Sequence, residues 1–278
     1  MSFIESITTN PFMQHALIGC TLIGFANGFF SGFVNLRRNA LSVSALSHTM
    51  LPGIAIAVLI TRELTQLNAF VGALIACLAV GLGSSLVSRN SRIHNDTALS
   101  ILYTSAFALG IALLPHLPVT TSLHDWLFGN IIHISPADLH LVFWVSTITL
   151  VLSNLFMRPL LLTLFEPYVA AAQGVPVRAM HYLSFSLLIC MLVASLQAVG
   201  TILSIGLLVA PSAIMLLFTD RTNAIFWGGA CIGAGTSIAG LYAAHLFNIQ
   251  VGPAIIILLG ALFLTSFLLS PKHGVLKR

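Results

Sequence analysis

Of the 278 residues, 58% are hydrophobic and only 6% are charged, with a formal net charge of +4. A water-soluble domain carries about 25% charged residues, so this chain cannot clothe a soluble surface, and a single membrane anchor would not account for its composition. The positive charge lies in no basic–aromatic stripe of the kind that grips phosphates and bases, which excludes nucleic acid and points to anionic lipid headgroups.

The charged residues divide the chain into apolar blocks. No Asp, Glu, Lys or Arg occurs in 6–36, 39–61, 64–88, 97–124, 139–157, 179–219 or 222–271. Crossing the hydrocarbon takes about 20 helical residues. The first five blocks give one crossing each, and the last two give a pair each. The pairs turn at "LQAVGT" around Gly200 and at "HLFNIQVGP", 245–253. The expected spans are 13–36, 42–61, 67–88, 97–114, 139–157, 180–197, 201–218, 223–244 and 253–270, nine in all. They must be helices, because each crossing segment has to satisfy its own backbone, and the alternation of a membrane barrel is absent. The fold class expected is all-α and polytopic, a single transmembrane domain over 1–278.

Basic residues set the orientation. With the N-terminus outside, Arg37, Arg38, Arg89, Arg92, Arg158, Arg178, Arg221, Lys272, Lys277 and Arg278 lie on the cytoplasmic side, and only Arg62 lies outside. The C-terminus is then cytoplasmic. The first residues have neither a positive n-region nor an A-x-A-like site, so no cleaved signal peptide is expected. Cys20, Cys77, Cys190 and Cys231 all fall in expected helices, form no C-x-x-C pair, and read as buried, inert thiols.

Along the chain, Gly24, Gly28 and Gly32 in the first span, and Gly228, Gly229 and Gly233 in the eighth, form small-residue faces suited to close helix packing. The second span contains "LSHTMLPG", 46–53. His48 shares a face with Ser44 one turn earlier and adjoins Ser47. Pro52 and Gly53 then remove a backbone donor and break the helix. An ionisable residue inside a crossing marks a functional site or a packed, satisfied histidine; neutral imidazole is also a common ligand for Mn, Fe or Zn.

Between the fourth and fifth spans, 115–138 holds "WLFGNII", too short to cross and suited to an interfacial or re-entrant helix. His15, His116, His124, His133 and His140, with Asp125 and Asp138, read as interfacial and loop residues that could also attract a cation. After the fifth span, 158–178 carries a short helix. Glu166 and Pro167 form its start, Ala171 lies within it, Gly174 stops it, and Pro176 prevents its continuation. A rigid, mostly uncharged helix in the longest cytoplasmic loop is built to be gripped by a partner.

Enzymatic chemistry finds no support. Ser47 and His48 are neighbours whose side chains diverge by about 100° on a helix, the wrong geometry for a nucleophile and its base. No carboxylate lies inside a crossing, which argues against a proton- or sodium-coupled carrier. No G-x-x-x-x-G-K-[ST] motif is present, so uphill transport would draw energy from a partner or an ion gradient.

Four stretches, "VNLRRNALSVSALSHTMLPG" (34–53), "WLFGNIIHISPADL" (126–139), "FEPYVAAAQGVPV" (165–177) and "VGTILSIGLLVAPSAIMLL" (199–217), carry a resemblance over nearly the full length. The chain resembles the membrane permeases of ATP-binding-cassette importers for manganese, zinc or iron. The resemblance implies a multi-pass protein of the bacterial inner membrane, with a homodimer or a pair of related permeases enclosing a path. It implies a cytoplasmic ATPase dimer and an extracytoplasmic metal-binding protein as partners. No cofactor would be permanently bound; the divalent metal ion is cargo. The helix near Glu166–Gly174 would dock on the ATPase. The family's second span reads Asp-x-Leu-Ser/Ala-His, so His48 matches the metal-site histidine, whereas Ser44 stands where the family has Asp. Three options follow: the partner permease supplies the acid, histidine and backbone hold the metal, or the ion binds loosely in passing. The alternatives are a permease for siderophores or vitamin B12, and a stand-alone ion-coupled carrier or channel.

Overall fold

The computed structural model describes residues 11–63, 65–116 and 135–270. All regular structure among them is helical. The helices are α1 (Pro11–Leu36), α2 (Ala40–Thr61), α3 (Gln66–Asn90), α4 (Asn95–Leu113), α5 (Pro136–Leu155), α6 (Met157–Phe165), α7 (Pro167–Ala172), α8 (Val177–Val199), α9 (Thr201–Leu216), α10 (Thr222–Phe247) and α11 (Val251–Leu269). Among the described residues, eight helices are long and apolar enough to cross a membrane. The chain is an all-helical, polytopic membrane protein with about eight candidate spans. Each expected span falls on a helix, but α9 has only 16 residues. At 1.5 Å per residue it reaches about 24 Å, short of a hydrocarbon core of roughly 30 Å.

The turns form where the sequence places them. Gly200, with φ 86°, separates α8 from α9. Asn248 ends α10 in the left-handed region at φ 56°, which Asn tolerates better than most residues. Residues 158–165, expected as loop, instead form α6. Pro159 lies in the first turn of that helix, where its missing N–H leaves no intrahelical bond unmade. The "WLFGNII" segment, with His124, Asp125 and His133, lies outside the described residues.

The helices group into two compact units. One gathers α1, the first part of α5, the end of α8, and α9–α11; the other gathers α2–α4, the rest of α5, α6, α7 and most of α8. In the first unit, α1 and α10 form the most extensive helix pair, and α9 packs on both. The two glycine runs meet there. A Cβ at Gly24 would run into the Gly233 carbonyl, and one at Gly28 into that of Gly229. Without side chains between them the backbones approach closely, and dispersion replaces the hydrophobic effect that lipid cannot supply. Towards the end of α1, Phe29 and Phe33 close on Phe226 with ring centroids 5.2 and 4.6 Å apart.

In the second unit Gly53 and Gly72 set α2 against α3, each facing the other's carbonyl, and Gly110 of α4 lies against Leu51 and Pro52. This corrects the expected helix break. α2 runs through Pro52 and Gly53, at the points where it meets α3 and α4. The expectation of buried thiols holds for Cys20 and Cys77, whereas Cys190 is half-buried and Cys231 is exposed on α10.

Candidate functional site

α2 positions the residues expected to form the path. His48 is exposed on it, Ser44 is half-buried, and Ser47 is buried. The His48 ring stands edge-on to Phe107 of α4, centroids 5.7 Å apart, with Tyr103 at 6.5 Å. These aromatics come at 103 and 107, one turn apart, so α4 offers a two-ring wall to one face of the imidazole. Pro52 has no N–H to give the carbonyl four residues back, and that carbonyl belongs to His48. Ring and carbonyl of one residue are thus both available for polar contact.

Ser47 is not part of this face. Its hydroxyl donates to the Ser44 carbonyl at 2.7 Å within the helix. Of the three expected path residues, Ser44 and His48 share a face of α2, while Ser47 is buried in the packing. Among the described residues no group of three or more His, Cys, Asp or Glu side chains comes together to hold a metal ion.

The short helix expected near Glu166 is α7. Glu166 precedes it, Pro167 opens it, and Gly174 follows with φ 79°. The Gly174 amide donates to Ala171 O at 3.0 Å and the Val175 amide to Ala170 O at 3.0 Å. This pair of bonds is a Schellman stop. Ala170 anchors the helix from below, fully buried, while Phe165, Tyr168 and Val169 stand exposed, Tyr168 by 89%. A helix that turns large apolar side chains outward from a stable stop presents them for contact.

Other expected residues have structural work. Asp138 accepts from the Ser135 amide and hydroxyl at 3.0 and 2.7 Å, and Ser135 Oγ accepts from the Asp138 amide, a reciprocal N-cap for α5. His15 and His245 are half-buried, and His94, His116 and His140 are exposed.

A polar cluster in the first unit escaped the sequence reading. Pro211 lies inside α9, and α1 places polar side chains against the helix beside it. Asn35 Nδ2 donates to Val209 O and Ser212 Oγ, both at 2.7 Å, and the Ser212 amide donates to Ser31 Oγ at 3.0 Å. The available signal was a proline in mid-span, with Ser212 beside it offering polar groups that need partners inside a bundle.

Apolar spanning helices, an exposed histidine on one of them and a protruding short helix are compatible with a membrane transport subunit. A model of the ABC 3 transport family matches residues 9–270, and the chain belongs to that family. It is a multi-pass membrane permease of an ABC importer, whose action implies ATPase and binding-protein partners. It is similar to the "Manganese transport system membrane protein MntC" of Halalkalibacterium halodurans, 37% identical over 99% of this chain and 93% of that one. The "Probable iron transport system membrane protein" of Haemophilus influenzae is 33% identical over 96% and 93%. Among solved structures, "PsaBC from Streptococcus pneumoniae in complex with Fab" superposes with a TM-score of 0.86 at 33% identity, covering 99% of this chain and 98% of that one. The family sets aside the siderophore and vitamin B12 alternative and the stand-alone carrier.

Proposed function

We propose that this permease imports manganese(II) or iron(II), and that the ion passes His48. The observation that carries the reading is His48 itself: an imidazole exposed on a membrane-spanning helix, with aromatic walls on α4 and a carbonyl released by Pro52. Exposing a titratable ring to lipid is unfavourable, so such a residue faces a protein-lined path. The names of relatives support the choice of manganese and iron over zinc. Ser44 supplies a hydroxyl and no charge, which suits transient contact; a path that binds tightly releases slowly.

The N-terminus lies outside and the C-terminus inside, with α9 as a ninth crossing despite its length. The charges support this. If α9 did not cross, Arg221, Lys272, Lys277 and Arg278 would all move to the outer side. α7 then lies in the cytoplasm, where its exposed Tyr168 and Val169 seat in the ATPase, with Glu166, Pro167, Ala171 and Gly174 setting its start, face and stop. A second permease, identical or related, completes the path, and an extracytoplasmic protein delivers the ion.

The test is uptake of radiolabelled Mn(II) and Fe(II) by the intact complex in proteoliposomes. Wild type is expected to accumulate either ion only with ATP, and His48→Ala to lower uptake about tenfold or more with assembly and melting unchanged. Wild-type uptake from an intact His48→Ala complex would refute a path past this residue.

A further inference from the structure

We propose that the cleft between the end of α3 and the start of α8 is a binding site for the phosphate headgroup of an anionic phospholipid. The cleft has a volume of about 680 Å³ and is lined by Leu86, Arg89, Asn90, Arg178 and Tyr182. None of these is acidic. Arg89 Cζ lies 4.9 Å from the centroid of the Tyr182 ring, a cation–π contact that fixes the guanidinium over the cleft wall. Arg178 stands in the first turn of α8, where unpaired amides add partial positive charge. Two guanidiniums, an amide side chain and a phenol around one cleft match a phosphodiester, which offers one negative charge and several acceptor oxygens.

The continuation of the cleft favours a lipid over a soluble anion. Leu67, Val71, Ile75, Ala79 and Leu86 lie along one side of α3 and all are exposed. The track ends at Arg89, and its last stretch, from Ala79 to Arg89, runs about 15 Å, close to the depth of one leaflet. Acyl chains occupy the track while the phosphate reaches the arginines, and Tyr182 sits at the level where interfacial aromatics belong. An acidic segment of a protein partner would need the two charges and would leave the track without a role. The site is independent of the cargo. Its assignment to the inner leaflet rests on the orientation proposed above.

The test is native mass spectrometry of the purified complex, titrated with phosphatidylglycerol or phosphatidylethanolamine, which reads lipid retention whatever the orientation. Wild type is expected to retain phosphatidylglycerol preferentially. Arg89→Gln with Arg178→Gln is expected to lower that affinity roughly 30-fold, about fivefold per arginine. Arg89→Lys with Arg178→Lys keeps the charge and should retain most of the affinity; melting in zwitterionic lipid verifies the fold of both pairs. Equal retention of the two lipids by wild type overturns the proposal without any variant. So does displacement of the lipid by inorganic phosphate or glycerol 3-phosphate at matching concentration, which would make the cleft a soluble-anion site. Unchanged lipid retention with loss of the ATPase subunits from the Gln pair would also overturn it and make the cleft a protein contact.

Discussion

Two residues at the end of α1 show how single side chains handle polarity beside the bilayer. Asn35 spends its amide on the α9 backbone next to Pro211. Replacing it by Leu leaves Val209 O without this donor and should destabilise the protein by about 1–3 kcal/mol; thermal melting in detergent reads the loss, and an unchanged midpoint would show the contact to be idle. Arg37 presents the opposite case. Its Nη1 is buried without a partner, and burial lowers the guanidinium from its ordinary value to about 10. A base whose folded pKa lies below its unfolded one costs stability wherever both states are protonated. The cost, roughly 3 kcal/mol here, is relieved only as pH rises through about 10, where the native state sheds its proton first. Arg37→Met should therefore raise the melting temperature of the isolated permease, by an increment that stays constant at every pH below about 10. A lower melting temperature would show that the cation finds a compensating partner.

At the scale of elements, glycine decides where helices touch. Gly28 lies where a Cβ would meet the Gly229 carbonyl, whereas Gly235, on the same α10, has open space around it. Gly28→Ala should cost about 1–3 kcal/mol through overpacking. Gly235→Ala should be neutral or slightly stabilising, because alanine is the better helix former. Equal melting shifts in the two variants would mean that α1 and α10 are not held by this contact. The sequence made both glycine faces visible, because small residues recurring at helical spacing are a local signal. Their pairing is a long-range fact that one sequence does not carry. The same division explains the other differences. Pro52 and Gly53 read as a break because the local rule sees a missing amide, while α2 stays helical through that point with α3 and α4 packed against it. Ser47 adjoins His48 in sequence, yet one residue along a helix is a turn of about 100°, which places its side chain in the packing. α7 was legible almost to the residue, because its start and stop are written locally in Glu166, Pro167 and Gly174. His48 was legible as an ionisable group in an apolar block, and the rings that flank it were not, since only the fold brings α4 beside α2.

At the scale of the whole molecule, one crossing determines how everything after Leu216 is oriented across the membrane. α9 is too short to span by length alone, yet the charges sort only if it crosses. A short helix can be accommodated by local thinning of the bilayer at a modest cost per ångström, whereas placing four cationic side chains on the wrong face opposes the bias that sets topology. The charge argument is the stronger one, and it makes a discriminating prediction. In a background with Cys20, Cys77, Cys190 and Cys231 replaced, single cysteines at the exposed positions Glu63, Tyr168 and Arg221 report side by side to a membrane-impermeant maleimide on intact cells. With nine crossings and the N-terminus outside, Glu63→Cys labels, while Tyr168→Cys and Arg221→Cys label only after the membrane is opened. With α9 lying within or along the membrane, Arg221→Cys joins Glu63→Cys on the outside and separates from Tyr168→Cys. Labelling of Tyr168→Cys on intact cells would invert the whole arrangement and remove α7 from the reach of a cytoplasmic ATPase. The comparison of Tyr168 with Arg221 thus tests the crossing count, and that of Tyr168 with Glu63 tests the orientation.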